Sequence, residues 1–522
     1  MTSAALRRDA PAASSPAWPA WRVLAAFAAW LACLAWARAL ALPDEGRYAG
    51  VAWEMLRADS PLVPLLDGMP YFHKPPLYYW LAQLSYAVFG LHAWSARLPS
   101  LLAAWCAGAG LYAFVRRYRD PHQARLSVLA LGLMPLYYGA AQFANLDMLV
   151  AALISLAVLA AADTALRRSQ GRPYRAMSLA AAALAALAVL AKGLIGVALP
   201  GAIVLGWLCL RRDGAGMRAL LWWPALALFA VLAVPWFWFM QVRYPDFFHY
   251  FFVYQQLQRF SQGGFNNAQP FWFYLPVLAG LCLPWSAWAL AWFRRAFWRE
   301  ADPQGLRRLA LIWMAVVVAF FSMPQSKLIG YVLPALPAAA LLLGEVIAPR
   351  WAAGSRRPVR LAAAGASALC AAAIAIAAAQ PRHSASAAAR ALRGEMQGGD
   401  VIVTLHAYPF DLGFYTRSAN APWVVDDWSD PDIARRDNWR KELKDAAGFD
   451  PAMGARNLVS EAQWRERLCA APDGARFWVW GVPEDARRYP ALAGLAPVYA
   501  QGRRAVWRLE ADAALRQRLC GG

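Results

Sequence analysis

The stretch "LDMLVAALISLAVLAAADTALRRSQGRPYR", residues 146–175, carries the pattern that decides the fold. Its apolar part, 146–166, is long enough to cross the hydrocarbon core of a bilayer as a helix, which takes about 20 residues. A loop with four arginines follows at once. Because cytoplasmic loops of membrane proteins are enriched in arginine and lysine, the stretch predicts a membrane span that ends in the cytoplasm.

The same pattern recurs along the whole chain. The arginine-rich loops "RRYRDPHQAR", "RRDGAGMR", "RRAFWREADPQGLRR" and "PRWAAGSRRPVR" all fall on the same side as 167–175, together with the N-terminal tail. The positive-inside rule puts this side in the cytoplasm. We therefore predict a mainly α, polytopic transmembrane helix bundle, whose eleven apolar runs are 21–42, 96–115, 125–142, 146–166, 176–191, 193–210, 219–240, 271–293, 307–323, 329–348 and 359–380.

Composition supports a membrane protein. Hydrophobic residues make up 60% of the 522 residues, which is more than a soluble protein of this size could cover with polar surface. The formal net charge of +20 would suit a nucleic-acid-binding protein. However, the arginines are spread over short loops between apolar runs and form no single basic face, so we exclude nucleic acid as a partner.

The spans divide the chain into regions. We expect residues 1–20 to form a cytoplasmic tail, 21–380 a transmembrane domain with outer loops 43–95 and 241–270, and 381–522 a domain on the outer side. An alternative interpretation of the first span is a cleaved signal peptide, with Ala39-Leu40-Ala41 as the small-residue site. Both interpretations put the following loop outside.

The C-terminal region has a different character, with lower apolar density and charges of both signs. The segment "DVIVTLHAYPFDLGFYTR" predicts a buried strand, a turn and a short helix, and "ARFWVWGV" and "RAVWRLE" predict further strands. We expect a small α/β domain. Cys469 and Cys520 both lie in it, where a disulfide or two free thiols are compatible with the spacing.

Lysine is rare in this chain and therefore informative. There are five lysines against 47 arginines. Lys74, Lys192 and Lys327 are predicted at the outer membrane face, each beside proline or glycine. Ionisable groups at such depth are costly and usually line a cavity. The alternative is that these lysines are anchors whose amino groups extend to the membrane surface.

Acidic residues occur on the same predicted face. Asp44 and Glu45 follow the first span, and Asp147 opens the fourth, where it could instead cap the helix. Arg259 lies among the aromatic residues of the loop "FFHYFFVYQQLQRFSQGG". Carboxylates and cations from four outer segments could thus converge above the bundle. This arrangement suits a reaction of an anionic, lipid-linked substrate at the outer leaflet.

Spaced motifs add a family resemblance. "PDEGRYAGVAWEML" (43–56), "YFHKPPLYYWL" (71–81), "AKG" (191–193), "PDFFHYFFVYQQLQRF" (245–260) and "KLIGYVLP" (327–334) occur in this order. Together they resemble the bacterial lipid A aminoarabinose transferases, within the larger group that includes the protein O-mannosyltransferases. The resemblance covers about residues 40 to 340. It implies up to thirteen spans and a periplasmic C-terminal domain.

The resemblance also implies roles for particular residues. Enzymes of this group use a polyprenyl phosphate sugar donor, and Lys74 and Arg259 match the positions that bind its phosphate. Asp44 matches the first-loop carboxylate, which would act as general base with a hydroxyl acceptor or orient groups with a phosphate acceptor. We add Asp147 as a second catalytic candidate, and as substrate-binding candidates Glu45, Arg47, Tyr48, Tyr71, His73, Lys192, Lys327 and Tyr331.

Two positions depart from the aminoarabinose transferases, which read "YFEKP" and "EHIQRF" where this chain has His73 and Gln255-Gln256. The missing carboxylates are candidates for contacts to an amino sugar or a metal. The identity of the sugar and any requirement for a divalent metal therefore stay open, and no cofactor is firmly implied.

These observations predict a glycosyltransferase of the bacterial inner (plasma) membrane with its active site on the periplasmic side. Its partners would be a polyprenyl (undecaprenyl) phosphate sugar donor, membrane lipids, and lipid A or another glycolipid as acceptor. One alternative is a protein O-glycosyltransferase of the same architecture. Another is a lipid transporter or flippase, but the chain shows no paired inverted halves, which such transporters often have.

Overall fold

The computed structural model describes residues 18–258, 267–379 and 384–520, and most of its N-terminal part is helical. A two-stranded hairpin, β1 (Leu65–Leu66) and β2 (Met69–Pro70), lies within this helical part. The α-helices before residue 380 are α1 (Ala20–Ala32), α2 (Asp44–Arg57), α3 (Leu77–Phe89), α4 (Ala93–Tyr118), α5 (Pro121–Gly132), α6 (Pro135–Ala141), α7 (Leu146–Ser169), α8 (Arg175–Lys192), α9 (Ile195–Arg211), α10 (Gly214–Leu220), α11 (Trp223–Arg243), α12 (Tyr274–Leu281), α13 (Trp285–Trp288), α14 (Arg295–Arg299), α15 (Leu306–Ser322), α16 (Leu336–Ala352) and α17 (Arg356–Ala379).

Six helices in the described part of the chain are long and apolar enough to cross a membrane, and the number rises to eight if each bent pair is one span. They are Ala93–Tyr118, Leu146–Ser169, Arg175–Lys192, Trp223–Arg243, Ile329–Ala352 and Arg356–Ala379. Each of the eleven predicted apolar runs contains helix. The polytopic helix bundle is therefore confirmed, although several runs are shorter or more broken than the sequence predicted.

Three predicted runs need correction. The run 21–42 is helical only to Ala32, and residues 33–42 form turns and irregular chain. The run 125–142 bends by 71° between α5 and α6, and the run 271–293 bends by 107° after α12. Pro135 and Pro284 lie at the two bends. Proline causes such breaks because it lacks an N–H donor and its ring clashes with the preceding turn.

The burial of the helices separates the centre of the bundle from its rim. α7 and the segment Ile329–Ala352 lie at the centre, since 89% and 94% of their most apolar windows are buried. α7 packs against α4, α8 and α9. Its many alanines let neighbouring helices approach closely. By contrast, only 22% of the corresponding window of α17 is buried, as expected for a helix that faces lipid.

The C-terminal region folds into a separate layer built on one mixed sheet. Its strand order is β5-β4-β3-β6-β8-β7, in which β5, β4, β3 and β6 are parallel and β8 runs antiparallel to β6 and β7. The strands are β3 (Val401–Leu405), β4 (Trp423–Val425), β5 (Leu458–Val459), β6 (Arg476–Gly481), β7 (Tyr499–Gln501) and β8 (Arg504–Glu510). The α-helices are α18 (Ser386–Ala391), α19 (Leu412–Thr416), α20 (Trp439–Phe449), α21 (Pro451–Asn457), α22 (Glu461–Ala470), α23 (Asp485–Arg488) and α24 (Ala513–Cys520).

These elements confirm the predicted small α/β domain. The predicted strand, turn and short helix are β3 and α19, and the two further predicted strands are β6 and β8. A disulfide joins Cys469 at the end of α22 to Cys520 at the end of α24, with 6.0 Å between their Cα atoms. The structure thus decides between the two states of these cysteines that the sequence left open.

The segment between α1 and α4 lies between the bundle and the C-terminal domain. Its helix α2 packs tightly on the domain at Gly50, where a Cβ atom would lie 2.5 Å from the carbonyl oxygen of Phe410. Asn457 of α21 also donates to the carbonyl oxygen of Asp67 (2.6 Å). The first loop and the C-terminal domain therefore form one wall above the bundle, and the candidate site lies at this junction.

Candidate active site

Glu45 anchors the start of α2 and is completely buried. Its carboxylate accepts bonds from Nε and Nη2 of Arg97 on α4 (2.8 and 3.1 Å), and Arg38 binds the same carboxylate. The backbone N–H groups of Ala41 and Ala144 donate to it at 2.8 Å. Burial alone would raise the pKa of Glu45, but the two guanidinium groups lower it to about 2. All acceptor positions of Glu45 are thus used inside the scaffold, so it lies outside the cavity in which we expected it to bind substrate.

Asp44, its neighbour in the chain, has a different environment. Its side chain is 42% exposed and accepts a bond from Nη1 of Arg47 (3.2 Å), one turn along α2. Burial of the carboxyl group raises the pKa of Asp44, and Arg47 offsets only part of this rise. Asp44 is therefore an accessible carboxylate at the start of a helix, with a proton affinity above that of an ordinary aspartate.

Arg47 connects α2 to the C-terminal domain. Its Nη2 atom lies 2.9 Å from Oε1 of Glu442 on α20. The hydroxyl of Tyr71 donates to the other oxygen of Glu442 (2.7 Å), and the guanidinium lies 4.8 Å from the centre of the Phe410 ring. The buried Glu442 carboxylate thus holds two predicted substrate-binding residues of the first loop in place.

Asp147, Lys192 and Tyr331 form a second group, built by three different helical segments. The cap of α7 is Asn145, whose side chain accepts from the N–H of Asp147 (3.0 Å), so the interpretation of Asp147 as the cap is wrong. The Asp147 carboxylate instead pairs with Lys192 at the end of α8. The ammonium of Lys192 lies 4.3 Å from the centre of the Tyr331 ring.

Both groups face one cavity of about 490 Å³. It is lined by nine of the twelve residues that the sequence predicted, which are Asp44, Arg47, Tyr48, Tyr71, His73, Lys74, Asp147, Lys192 and Tyr331. A smaller adjoining cavity of about 100 Å³ shares Lys74, Lys192 and Tyr331 and is also lined by Phe320 and Phe321. The two lysines therefore lie where a polar chamber meets an apolar one.

Two more predicted residues, Lys327 and Arg259, are not among the described lining residues of the active-site cavity. Lys327 is buried, and its ammonium group donates to the carbonyl oxygens of Gln269 (2.9 Å) and Pro324. It fixes the turn before Tyr331 and does not line either of the two cavities. Arg259, predicted to bind phosphate, lies in 259–266, outside the described residues.

The two departures from the family pattern lie beside the cavities. The His73 ring stacks on Tyr71, with 4.5 Å between ring centres, and lies 5.9 Å from Tyr250. Gln255 and Gln256 both line the smaller cavity. Within the described residues there is no group of three or more His, Cys, Asp or Glu side chains that could hold a metal ion.

Sequence reasoning missed the part of the cavity wall that comes from the C-terminal domain. Helix α20 is an amphipathic helix in the sequence, and nothing in its spacing predicts that its first turn reaches a cavity formed by residues near 44 and 147. The missed lining residues of the C-terminal domain are Phe410, Asp437, Asn438, Trp439 and Glu442, and those of the N-terminal part are Pro43, Asn145, Asn267 and Leu328.

Comparison with known proteins gives related sequences over part of the chain. Residues 73–239 match the family of dolichyl-phosphate-mannose-protein mannosyltransferases. An undecaprenyl phosphate-alpha-4-amino-4-deoxy-L-arabinose arabinosyl transferase of Pseudomonas aeruginosa is 33% identical over 325 residues, covering 61% of this chain and 58% of the relative. A relative of the same name from Enterobacter sp. is 33% identical over 322 residues, covering 59% and 55%. The chain thus matches little more than half the length of these relatives.

Solved structures extend the likeness to almost the whole chain. The structure of ArnT from Cupriavidus metallidurans bound to undecaprenyl phosphate superposes with a TM-score of 0.77 at 23% identity, covering 95% of this chain and 98% of that one. The apo form gives 0.74 at 22%. These comparisons confirm the predicted resemblance to the aminoarabinose transferases and mannosyltransferases, and they confirm the fold.

Proposed function

We propose that this chain is an inner-membrane glycosyltransferase that moves a sugar from undecaprenyl phosphate or a similar polyprenyl phosphate to lipid A or another glycolipid. The observation that carries the proposal is the 490 Å³ cavity, in which Lys74, Lys192 and Arg47 face the carboxylates of Asp44 and Asp147. The names of the curated relatives support the same donor. We further propose that residues 1–20 are cytoplasmic and that the cavity and residues 381–522 are periplasmic.

The chemistry of the donor explains the cations. When the bond between the anomeric carbon and the phosphate oxygen breaks, the electron pair stays on the phosphate of the lipid. Fixed cations in a water-poor cleft stabilise this growing charge. Lys74 and Lys192 stand where the polar chamber joins the apolar one. A phosphate there would have its sugar in the larger chamber and the first carbons of its prenyl chain beside Phe320 and Phe321.

The acceptor side of the reaction would use Asp44. An acceptor oxygen forms the new bond to the anomeric carbon as the phosphate leaves. If that oxygen is a hydroxyl, the Asp44 carboxylate takes its proton, and the raised pKa makes it a stronger base than an ordinary aspartate. If it belongs to a phosphate, it is already ionised, and Asp44 orients the sugar or the acceptor.

A protein hydroxyl as acceptor is the second candidate, and the family match favours it. Residues 73–239 include Lys74, Asp147 and Lys192, which belong to the proposed donor side. They leave out the C-terminal domain, which closes the other wall of the cavity. The donor half can therefore be common to both kinds of enzyme while the acceptor differs.

The test is mass spectrometry of lipid A and of periplasmic glycoproteins from cells with and without this chain. Lipid A should gain the mass of one sugar only when the wild-type chain is present. Lys74→Ala should lower transfer by about 10²–10³, the usual cost of removing one stabilising donor. Lys444→Ala, the loss of an exposed lysine on α20 outside the cavity, should leave it unchanged.

Each other outcome has a clear meaning. A sugar found on periplasmic proteins alone would establish the second candidate. Unchanged masses of both lipid A and glycoproteins, with folded wild-type protein in the membrane, would contradict a transferase. Transfer by Lys74→Ala at the wild-type rate would remove Lys74 from the donor site.

A further inference from the structure

A larger cavity, of about 760 Å³, lies between the membrane helices and the C-terminal domain. We call it the arginine cavity. It has no lining residue in common with the active-site cavity. Its described lining consists of Trp36, Ala37, Arg38, Ala39, Ala93, Ala378, Ser384, Ser386, Ala387, Arg390, Tyr415, Tyr499, Gln501, Gly502, Arg503 and Arg504.

The charge of this lining has one sign. Arg38, Arg390, Arg503 and Arg504 face the cavity, and the described lining contains no aspartate or glutamate. Two acids lie behind the wall. The carboxylate of Glu45 is shared by Arg38 and Arg97, so this group keeps one positive charge. The buried carboxylate of Asp411 accepts a bond from Ser384 (2.7 Å) and offsets part of the charge of Arg504, which leaves Arg390 and Arg503 as the further cations of the lining. A cavity with this charge attracts anions.

The position of the cavity relates it to the membrane surface. Ala378 lies in the last turn of α17, and residues 36–39 belong to the irregular segment that follows α1, so one wall is made by chain close to the ends of two apolar helices. Trp36 is 73% exposed, and Tyr499 also lines the cavity. An exposed tryptophan close to the end of an apolar helix is typical of the level of the lipid headgroups.

We propose that the arginine cavity binds the phosphate of a lipid headgroup in the leaflet that faces the C-terminal domain. The guanidinium group offers paired N–H donors that match phosphate oxygens, which makes arginine suited to this ligand. The volume lies within the usual range for pockets that hold small ligands, about 300–1,000 Å³. Ser386 and Gln501 add neutral donors for the rest of the headgroup. This site is additional to the proposed transferase site.

The arginines to be replaced are those whose loss removes the fewest contacts within the protein. Arg38 holds Glu45, and Arg504 donates to the carbonyl oxygen of Ser384, so both are left intact. Arg390 and Arg503 are exposed and come from different elements. Arg390 donates to the carbonyl oxygen of Ser386 within its own helix (3.2 Å), and in the part of the chain that the structure describes neither arginine holds a buried carboxylate as Arg38 does. We replace them as Arg390→Gln, Arg503→Gln and the double variant. Arg487→Gln, an exposed position outside the cavity, is the matched control for the lost charge.

Binding is measured by isothermal titration calorimetry on the full-length protein in neutral detergent. The probes are dioctanoyl phosphatidic acid, dioctanoylglycerol, which has no phosphate, and inorganic phosphate. Phosphatidic acid should bind wild type and Arg487→Gln with equal affinity. Its affinity for Arg390→Gln and for Arg503→Gln should be about 10-fold lower, because each variant loses one charged hydrogen bond to the phosphate. Unchanged thermal unfolding of the variants checks their fold.

Three results would overturn the site. Equal binding of dioctanoylglycerol would mean that the phosphate is not recognised, and equal binding by the double variant would mean that these arginines do not bind it. Inorganic phosphate that binds as tightly as phosphatidic acid would rule out a lipid ligand. The phosphate can belong to lipid A, the proposed acceptor, or to a bulk phospholipid of the same leaflet. Titrations with bisphosphorylated lipid A and with phosphatidylglycerol separate these two sources. Tighter binding of lipid A identifies the acceptor as the ligand, and tighter binding of phosphatidylglycerol identifies the bulk lipid.

Discussion

Asp44 and Glu45 show how strongly local packing sets the role of a carboxylate. Successive residues of an α-helix point about 100° apart, so these neighbours face different surroundings. Glu45 is enclosed by two arginines, and its pKa is lowered to about 2. Asp44 faces the cavity, and its pKa is raised. The pair "DE" thus combines one anchoring and one accessible acid, and the sequence alone does not distinguish them.

Replacing Asp44 by Asn tests the accessible acid. The pKa of Asp44 is higher in the folded protein than in the unfolded chain, so ionisation of Asp44 lowers the free energy of unfolding as the pH rises through the folded-state pKa. Because Asp44→Asn removes this charge, thermal stability at neutral pH should be unchanged or slightly higher. Transfer of sugar to a hydroxyl acceptor should fall by about 10². The acidic limb of the pH profile for wild type should lie above the range of an ordinary aspartate. Asp59→Asn, an exposed position just after the end of α2, is the control. Equal activity of both variants would contradict a catalytic Asp44.

Replacing Glu45 by Gln tests the anchoring acid. Its pKa is lowered from 4.5 to about 2, so its contribution to stability is complete above pH 4.5 and is lost as the pH falls towards 2. Glu45→Gln leaves the fully buried Arg97 without its counter-charge, which should destabilise the protein by about 3–5 kcal/mol. Thermal unfolding across this pH range measures both effects. Wild-type stability together with a raised KM would instead support the substrate-binding role that the sequence predicted.

The scarcity of lysine was a productive clue, and its limit is physical. It selected Lys74 and Lys192, which line the cavity, and also Lys327, which does not. The ammonium of Lys327 reaches two backbone carbonyls, Gln269 and Pro324, that lie close only because the chain turns there. Residue frequency can indicate that a charge near the membrane is unusual, but it carries no information on where the amino group points.

At the scale of elements, helix α20 is the part of the C-terminal domain that completes the cavity. Its Glu442 binds Arg47 and Tyr71, both from the first loop. The partners are far apart in the chain, and neither the spacing nor the composition of α20 marks this contact. The breaks in two membrane helices have a clearer local cause, since prolines lie at both, but apolar run length alone cannot reveal them.

Glu442→Gln tests whether this helix holds the site. The amide can still accept the bond from Tyr71, but Arg47 loses its charged partner in a buried position, and breaking such a pair typically costs about 3–5 kcal/mol. We expect lower transfer and faster proteolysis between the bundle and the C-terminal domain. Glu461→Gln is the control, since it removes an exposed ion pair with Arg488 on the same domain. It should change neither the transfer rate nor the rate of proteolysis, because surface ion pairs contribute about 0–1 kcal/mol to stability. Identical behaviour of the two variants would contradict the role of α20.

At the scale of the whole molecule, the candidate site exists only because separate parts of the chain meet on one face. The first loop brings Asp44 and Lys74, helices α7 and α8 bring Asp147 and Lys192, and the C-terminal domain brings Glu442. The count of apolar runs and arginine-rich loops predicted the first four on one side of the membrane. It could not predict how the C-terminal domain sits on them, because that depends on surface complementarity between α2 and the domain.

The proposed mechanism therefore depends on membrane topology, which labelling can test. The five free cysteines are replaced and the Cys469–Cys520 disulfide is kept, and single cysteines are introduced one at a time. Ser60→Cys in the first loop and Ser429→Cys in the C-terminal domain should react with a membrane-impermeant thiol reagent in intact spheroplasts. Ser169→Cys and Ser355→Cys, both exposed positions in arginine-rich loops, should react only after the membrane is opened. If the labels at 60 and 429 came from opposite sides, Arg47 and Glu442 could not form one ion pair, and the cavity proposed as the active site would not exist in the membrane.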